Sequence, residues 1–213
     1  MSESRWTLDP DIDAFLETME LPPAPFMEHL RAERIPLEKA APKVGSPAPA
    51  FSAECLAANG AQTGELVSLA DFAGRPLALI FGSYTCPVYR GQIKRFNEIY
   101  AQLNKRLAFL LIYISEAHPE DGWQVGINHI QGVIYDQPLD SVTRAAIAAD
   151  CMADTKMRIP VAIDNMENTI SCAYSASPER LYLIDGDGIV RYRSATGPFR
   201  MDAVEAWCNV LQG

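Results

Sequence analysis

The stretch Leu77-Ala-Leu-Ile-Phe-Gly-Ser-Tyr-Thr-Cys-Pro-Val-Tyr-Arg90 joins a continuous apolar run to a turn carrying one cysteine and one proline. An apolar run without alternation reads as a strand buried on both faces. Beyond the turn, Ile93, Phe96, Ile99, Tyr100 and Leu103 recur at helical spacing, and Pro87 suits a first helical turn, where its missing N–H costs nothing. Ala108-Phe-Leu-Leu-Ile-Tyr-Ile114 is a second fully apolar run. Residues 77–114 therefore predict a βαβ unit with parallel strands and a right-handed crossover.

The flanks extend this unit. Phe51–Leu56 and Glu65–Leu69 face each other across a turn region at Asn59–Gly64 and predict a hairpin. A long loop over 115–138 leads to a helix over 139–152 and a short strand over 161–164. Residues 180–185 and 189–193 form a second hairpin, and apolar residues at 201, 204, 207, 208 and 211 close the chain as an amphipathic helix. Asp185-Gly-Asp-Gly188 lacks the further ligands of a calcium loop and reads as the hairpin turn. This order predicts an α/β, thioredoxin-like fold, with a central mixed sheet and helices on both faces. Residues 44–213 form that domain. Residues 1–43 form a helical, Pro-rich extension, with helices over 9–20 and 26–34 separated at Leu21–Pro25. An extended connector then runs through Pro36, Pro42, Pro47 and Pro49.

The chain has 213 residues, 48% apolar and 21% charged, enough for one domain with a real core. Its net charge of -9 repels phosphate backbones and anionic lipid, so neither nucleic acid nor membrane is an expected partner. No apolar run approaches the ~18 residues of a spanning helix, and the first residues lack a signal pattern, so a cytoplasmic location is expected. Cysteines at 55, 86, 151, 172 and 208 form no CxxC pair and are too sparse for a disulfide framework or a metal site. Reduced thiols, no metal and no bound cofactor are expected.

Cys86 holds the best position in the chain for a reactive thiol. Parallel strands present their carboxyl ends at one sheet edge, and a helix N-terminus there favours thiolate, with Arg90 adding a cation. On that basis Cys86 should alkylate faster than the other four cysteines. A CxxC dithiol would need a cysteine at 89, where Tyr89 stands and is assigned instead to the substrate groove. The resolving thiol must come from Cys172, Cys151, Cys55, Cys208, a second subunit (which leaves a homodimer open) or an external thiol. Cys172, in the polar stretch 168–177, is the favoured internal candidate.

Glu116 and His118 follow the second buried strand and should lie beside Cys86. Two apart, they face the same way in extended chain, and the carboxylate would fix the ring tautomer while His118 either ion-pairs with the thiolate or delivers a proton to the product. Ser83 and Thr85 flank the thiol with hydroxyls that either meet the substrate or satisfy the turn. Trp123 is placed in the groove, and so is Pro160, a candidate cis proline facing the thiol. Three readings follow: a reductive thiol enzyme, a thiol peroxidase and a redox sensor without turnover. The peroxidatic Pro-x-x-x-Thr-x-x-Cys spacing would need Pro and Thr where Leu79 and Ser83 stand, which disfavours the second.

Four segments, Phe81-Gly-Ser-Tyr-Thr-Cys-Pro87, Tyr113-Ile-Ser-Glu-Ala-His-Pro-Glu-Asp-Gly-Trp123, Asp164-Asn-Met-Glu-Asn168 and Glu179-Arg-Leu-Tyr182, together resemble the iodothyronine deiodinases over about 72–211. Val44–Phe51 with Leu69–Pro76 is similar to the entrance of peroxiredoxin-like proteins. The resemblance implies a thioredoxin fold and a chalcogen nucleophile that takes halogen from an iodinated phenol such as an iodothyronine. An external reductant, a dithiol or a thioredoxin- or glutathione-type donor, then restores it. Cys86 stands in the place of the family's usual selenocysteine, with Glu116 and His118 supporting proton delivery and Ser83 and Thr85 beside the nucleophile. Sulfur in that place implies slower turnover. A second family histidine falls at Asp136 or a neighbour, and the vertebrate membrane anchor is missing, which implies a soluble, bacterial-type relative.

Overall fold

The computed structural model describes residues 24–197 and 200–213. In chain order it comprises α1 (Ala24–Ala40), β1 (Ser52–Leu56), β2 (Gln62–Ser68), a 3-10 turn (Leu69–Phe72), β3 (Leu77–Gly82), α2 (Pro87–Leu103) and β4 (Ala108–Tyr113). The second half comprises α3 (Gly126–Gln131), α4 (Ser141–Thr155), β5 (Val161–Ile163), α5 (Thr169–Tyr174), β6 (Arg180–Ile184), β7 (Val190–Arg193) and α6 (Met201–Gln212). The expected helix over 9–20 lies outside the described residues.

The strands form one mixed sheet in the order β2-β1-β5-β4-β3-β6-β7. β3 pairs parallel with β4, and β4 with β5, so the expected βαβ unit is present with its strands as direct neighbours. β6 runs antiparallel to β3 on the other side, and β1 runs antiparallel to β5. Every residue of β3 and β4 is buried, which is why neither shows the alternation of a half-exposed strand. Ala78, Ile80, Phe109 and Leu111 pack toward α2, α4 and α6, and Leu77, Leu79, Phe81, Leu110 and Ile112 pack on the opposite face with Ile170 and Tyr174 of α5. Burial, worth ~1.5–3 kcal/mol per large apolar side chain, makes these two layers the main source of stability.

Three expectations need correction. Pro36 does not start an extended connector: α1 runs through it to Ala40. The loop over 115–138 contains the six-residue helix α3, closed by Gly132 in left-handed conformation (φ 68°). The polar stretch 168–177 contains α5, because both oxygens of Asp164 accept from the first amides of that helix, Ile170 N at 3.1 Å and Ser171 N at 2.7 Å. The turn at 185–188 matches its reading, since Asp185 Oδ1 accepts from Asp187 N and Ile189 N within the hairpin.

Candidate active site

β3, β4 and β5 end at one edge of the sheet, at Gly82, Tyr113 and Ile163, so the turn 83–86 and the loop 114–118 must meet there. Cys86 is the N-cap of α2 and Pro87 its first residue. Its Sγ accepts from Tyr89 N at 3.5 Å, a helix-start hydrogen bond with sulfur in the place usually held by oxygen. The close passage of α2 over β3 depends on Gly82, where a Cβ would stand 2.3 Å from the Tyr89 ring. Tyr89 is fully buried against Phe96, a core residue rather than part of a substrate groove, because helical spacing turns it toward the sheet.

Glu116 ties the loop to the thiol turn. Its Oε2 accepts from Thr85 N at 2.9 Å and Thr85 Oγ1 at 2.7 Å, and its Oε1 accepts from the Tyr113 hydroxyl. Tyr113 in turn accepts from Tyr84 N at 3.0 Å. Thr85 Oγ1 also accepts from His118 N at 3.0 Å, and Ser83 Oγ accepts from Ala117 N at 3.1 Å. Asn128 of α3 donates to Thr85 O at 2.9 Å and accepts from Arg90 Nη2 at 2.8 Å. The hydroxyls of Ser83 and Thr85 are thus committed to backbone and carboxylate. Burial pushes the Glu116 carboxyl up, against the donors from Tyr113 and Thr85 that pull it down.

The expected pairing of Glu116 with the His118 ring is absent, because the carboxylate turns back to Thr85. The partner of the ring is the Trp123 carbonyl, 3.1 Å from Nδ1, and the Trp123 indole packs edge-on at 4.5 Å between centroids. A carbonyl only accepts, so Nδ1 carries the proton and Nε2 presents a lone pair. Burial lowers the His118 pKa to about 4, with the Arg90 and Arg34 charges adding to the effect and the Trp123 carbonyl opposing it. The imidazole is therefore neutral at pH 7. Trp123 is half-buried, and its backbone carbonyl sets this tautomer.

Cys86 is 1% exposed, and burial pushes its thiol well up, reinforced by the Glu179 charge and opposed by Tyr89 N–H and Arg90. The thiolate expected from the helix N-terminus is outweighed by desolvation, so the resting group is a thiol. Access therefore does not favour faster alkylation of Cys86, since Cys172 is the exposed cysteine and Cys86 is buried. Cys172 lies on α5, and all five cysteines are free. Pro160 sits at the amino end of β5, its carbonyl accepting from Leu111 N at 2.9 Å. That is the edge opposite Cys86, because β5 is parallel to β3, so Pro160 lines no groove around the thiol. The cis peptide among the described residues is Ser177–Pro178, immediately before β6.

Sequence reasoning passed over several side chains that share this edge. Glu179 is buried against Gly197, where a Cβ would meet its Cγ at 2.3 Å, and its charge is felt at Cys86. Arg180, fully buried, pairs with Glu38 of α1, whose carboxylate also takes Ser175 Oγ at 3.0 Å, Thr196 Oγ1 at 3.1 Å and Arg193 Nη2 at 3.1 Å. The string Glu179-Arg180 was visible in the sequence, but nothing local told that its partner lay 142 positions away. Among the described residues no group of three His, Cys, Asp or Glu side chains converges to hold a metal ion, and no helix is long and apolar enough to cross a membrane.

The family model described as iodothyronine deiodinase matches residues 25–211. Among curated relatives, thyroxine 5-deiodinase of Gallus gallus is 35% identical over 170 residues, 78% of this chain and 62% of that protein. Type I iodothyronine deiodinase of Xenopus laevis is 34% identical over 152 residues, 70% of this chain and 58% of that protein. The chain thus spans about three fifths of the length of these relatives. Among solved structures, the thioredoxin domain of a thiol-disulfide oxidoreductase from Bacteroides vulgatus superposes with a TM-score of 0.53 at 16% identity, covering 78% of this chain and 99% of that one. Reduced 2-Cys peroxiredoxin of Plasmodium vivax gives 0.51 at 18%, covering 79% and 96%. At such identities these two carry the thioredoxin-like fold alone.

Proposed function

The chain belongs to the iodothyronine deiodinase family, and from that premise we propose that it is a thiol-dependent reductive deiodinase of iodinated phenols, with Cys86 as nucleophile. The observation that carries the reading is the tie of His118 N to Thr85 Oγ1, which holds a neutral imidazole beside the turn of a protonated thiol. Cys86 Sγ attacks the iodine, the carbon–iodine bond breaks toward carbon, and a sulfenyl iodide forms. The thiol proton passes to His118 Nε2 and from there to the ring carbon, so thiol and aryl iodide become sulfenyl iodide and arene. The Trp123 carbonyl, by holding the proton on Nδ1, makes Nε2 the nitrogen that accepts. One external thiol then displaces iodide to give a mixed disulfide and a proton, and a second thiol releases Cys86 as thiol with the external disulfide as product. Cys172, exposed on α5, is the internal candidate for the first of these two thiols.

The test is iodide release from thyroxine and its less iodinated relatives with excess dithiol, comparing wild type with Cys86→Ser and His118→Ala. Release that requires Cys86, falls about 10²–10⁴-fold without His118, and shows an acidic limb at about 4 rather than at the ordinary histidine value of 6.5 is the expected result. No release, with Cys86 still consumed by peroxide, would move the function to a thiol peroxidase. An acidic limb unchanged in His118→Ala would remove that residue's role.

A further inference from the structure

With a net charge of -9, the chain as a whole repels an anion, so an anionic substrate needs a local cation at the Cys86 edge. Two arginines there are spent on the fold. Arg90 bonds Tyr84 O, Asn128 Oδ1 and Gln131 Oε1. Arg180 bonds Glu38, Ser175 O, Thr196 Oγ1 and Ser194 O. Arg34 of α1 is different. Glu38, one helical turn along, docks α1 against residues 175–196, and positions four apart share a helix face, so Arg34 is directed to the same edge. Its Nη2 donates to Ser177 Oγ at 3.3 Å, its one hydrogen bond among the described residues, whereas a guanidinium has five N–H donors. The side chain is half-buried, and its charge is felt at both Cys86 and His118, while Glu33 is the acidic group on its own helix that it feels. A partly desolvated cation with spare donors, held by Ser177 at the sheet edge that carries Cys86, is a receptor for an oxyanion.

We propose that Arg34 is the specificity-determining residue that recognises the phenolate of the iodinated substrate, so that α1 completes the binding site rather than merely preceding the domain. The inference rests on the deiodinase reading for its choice of ligand, but its test does not need turnover. In a Cys86→Ser background, binding of a di-ortho-iodinated phenol, ionised at the working pH, is measured by calorimetry against its methyl ether. The phenolate should bind roughly tenfold tighter than the ether, the size of one charge-assisted hydrogen bond. Arg34→Gln should erase that preference with the ether unaffected, and Arg34→Lys should keep part of it. A preference untouched by Arg34→Gln, no preference in the parent, or equal loss of both ligands would each overturn the proposal. So would Arg34 dependence that follows the carboxylate of the corresponding methoxybenzoate and not the phenolate. Iodide release by the wild type reports separately on the deiodinase reading: release with an Arg34-independent preference sinks this inference alone, and an Arg34-dependent preference without release sinks that reading alone.

Discussion

Two regions meet at the Cys86 edge, and they are held in opposite ways. The thiol turn and the 116–118 loop are joined by buried hydrogen bonds centred on Glu116, between segments that emerge from neighbouring parallel strands. Helix α1 comes from the far end of the chain and is held at the rim by Glu38, a carboxylate 39% exposed, on Arg180 and Arg193. A buried network without water to replace a lost partner is stiff and costly to break; a half-exposed ion pair is neither. Cys86 and His118 are thus fixed to the sheet, and the ion pair that docks the element carrying Arg34 has a carboxylate open to solvent.

The contrast is tested hardest at Glu116. Glu116→Ala leaves Thr85 N, Thr85 Oγ1 and the Tyr113 hydroxyl without their acceptor in a site closed to water. A loss of about 3–5 kcal/mol in urea unfolding is expected, with iodide release abolished. A loss below about 1 kcal/mol would mean that water replaces the carboxylate and that the turn is not the rigid half of the comparison. Thr85→Val is the milder cut: it keeps the shape and removes the hydroxyl that bridges Glu116 to His118 N. About 1–3 kcal/mol should be lost, and iodide release should fall more than in a surface variant of equal stability, because His118 is then untied from the turn.

The two regions also differ in how far the sequence exposes them. Strands β3 and β4, helix α2 and the Cys86 turn are legible because apolar runs and helical spacing are local signals that the buried sheet obeys. Placing Glu116 and His118 at the Cys86 edge needs only the rule that neighbouring parallel strands end together. The partner of Glu116 is not legible. Alternation in extended chain points it along with His118, whereas the competition for a buried carboxylate is won by the amide and hydroxyl of Thr85. The protonation of Cys86 is misjudged for a related reason: a helix N-terminus is visible in sequence and complete burial is not. Glu38 and Arg34 are invisible as site residues, since their partners lie 142 and 143 positions away and a proline inside the helix suggests that it has ended.

On the looser side, Glu38→Ala removes the docking contact of α1 and should cost about 1–3 kcal/mol, the exposed carboxylate being screened but the buried Arg180 losing its anion while keeping its oxygens of Ser175, Ser194 and Thr196. Its signature is local. Amide exchange over 24–40 should accelerate while the amides of Thr85 and His118 stay protected. Acceleration in both regions together would show that α1 and the turn open as one unit, which erases the distinction.

The smallest effect separates the regions by sign. The pairing with Arg180 holds Glu38 at about 2, below its ordinary 4.5, so its contribution is complete above 4.5 and is lost as pH falls toward about 2. Burial holds Glu116 above 4.5, so its contribution is complete below that value and is lost as pH rises through its folded pKa. Unfolding free energies of wild type against Glu38→Gln should therefore diverge as pH rises across the lower window. Wild type against Glu116→Gln should shift in the opposite direction above 4.5, the amide being unable to ionise. If both differences moved in the same direction, the donors around Glu116 would outweigh its burial, and the rim and the buried turn would be electrostatically alike.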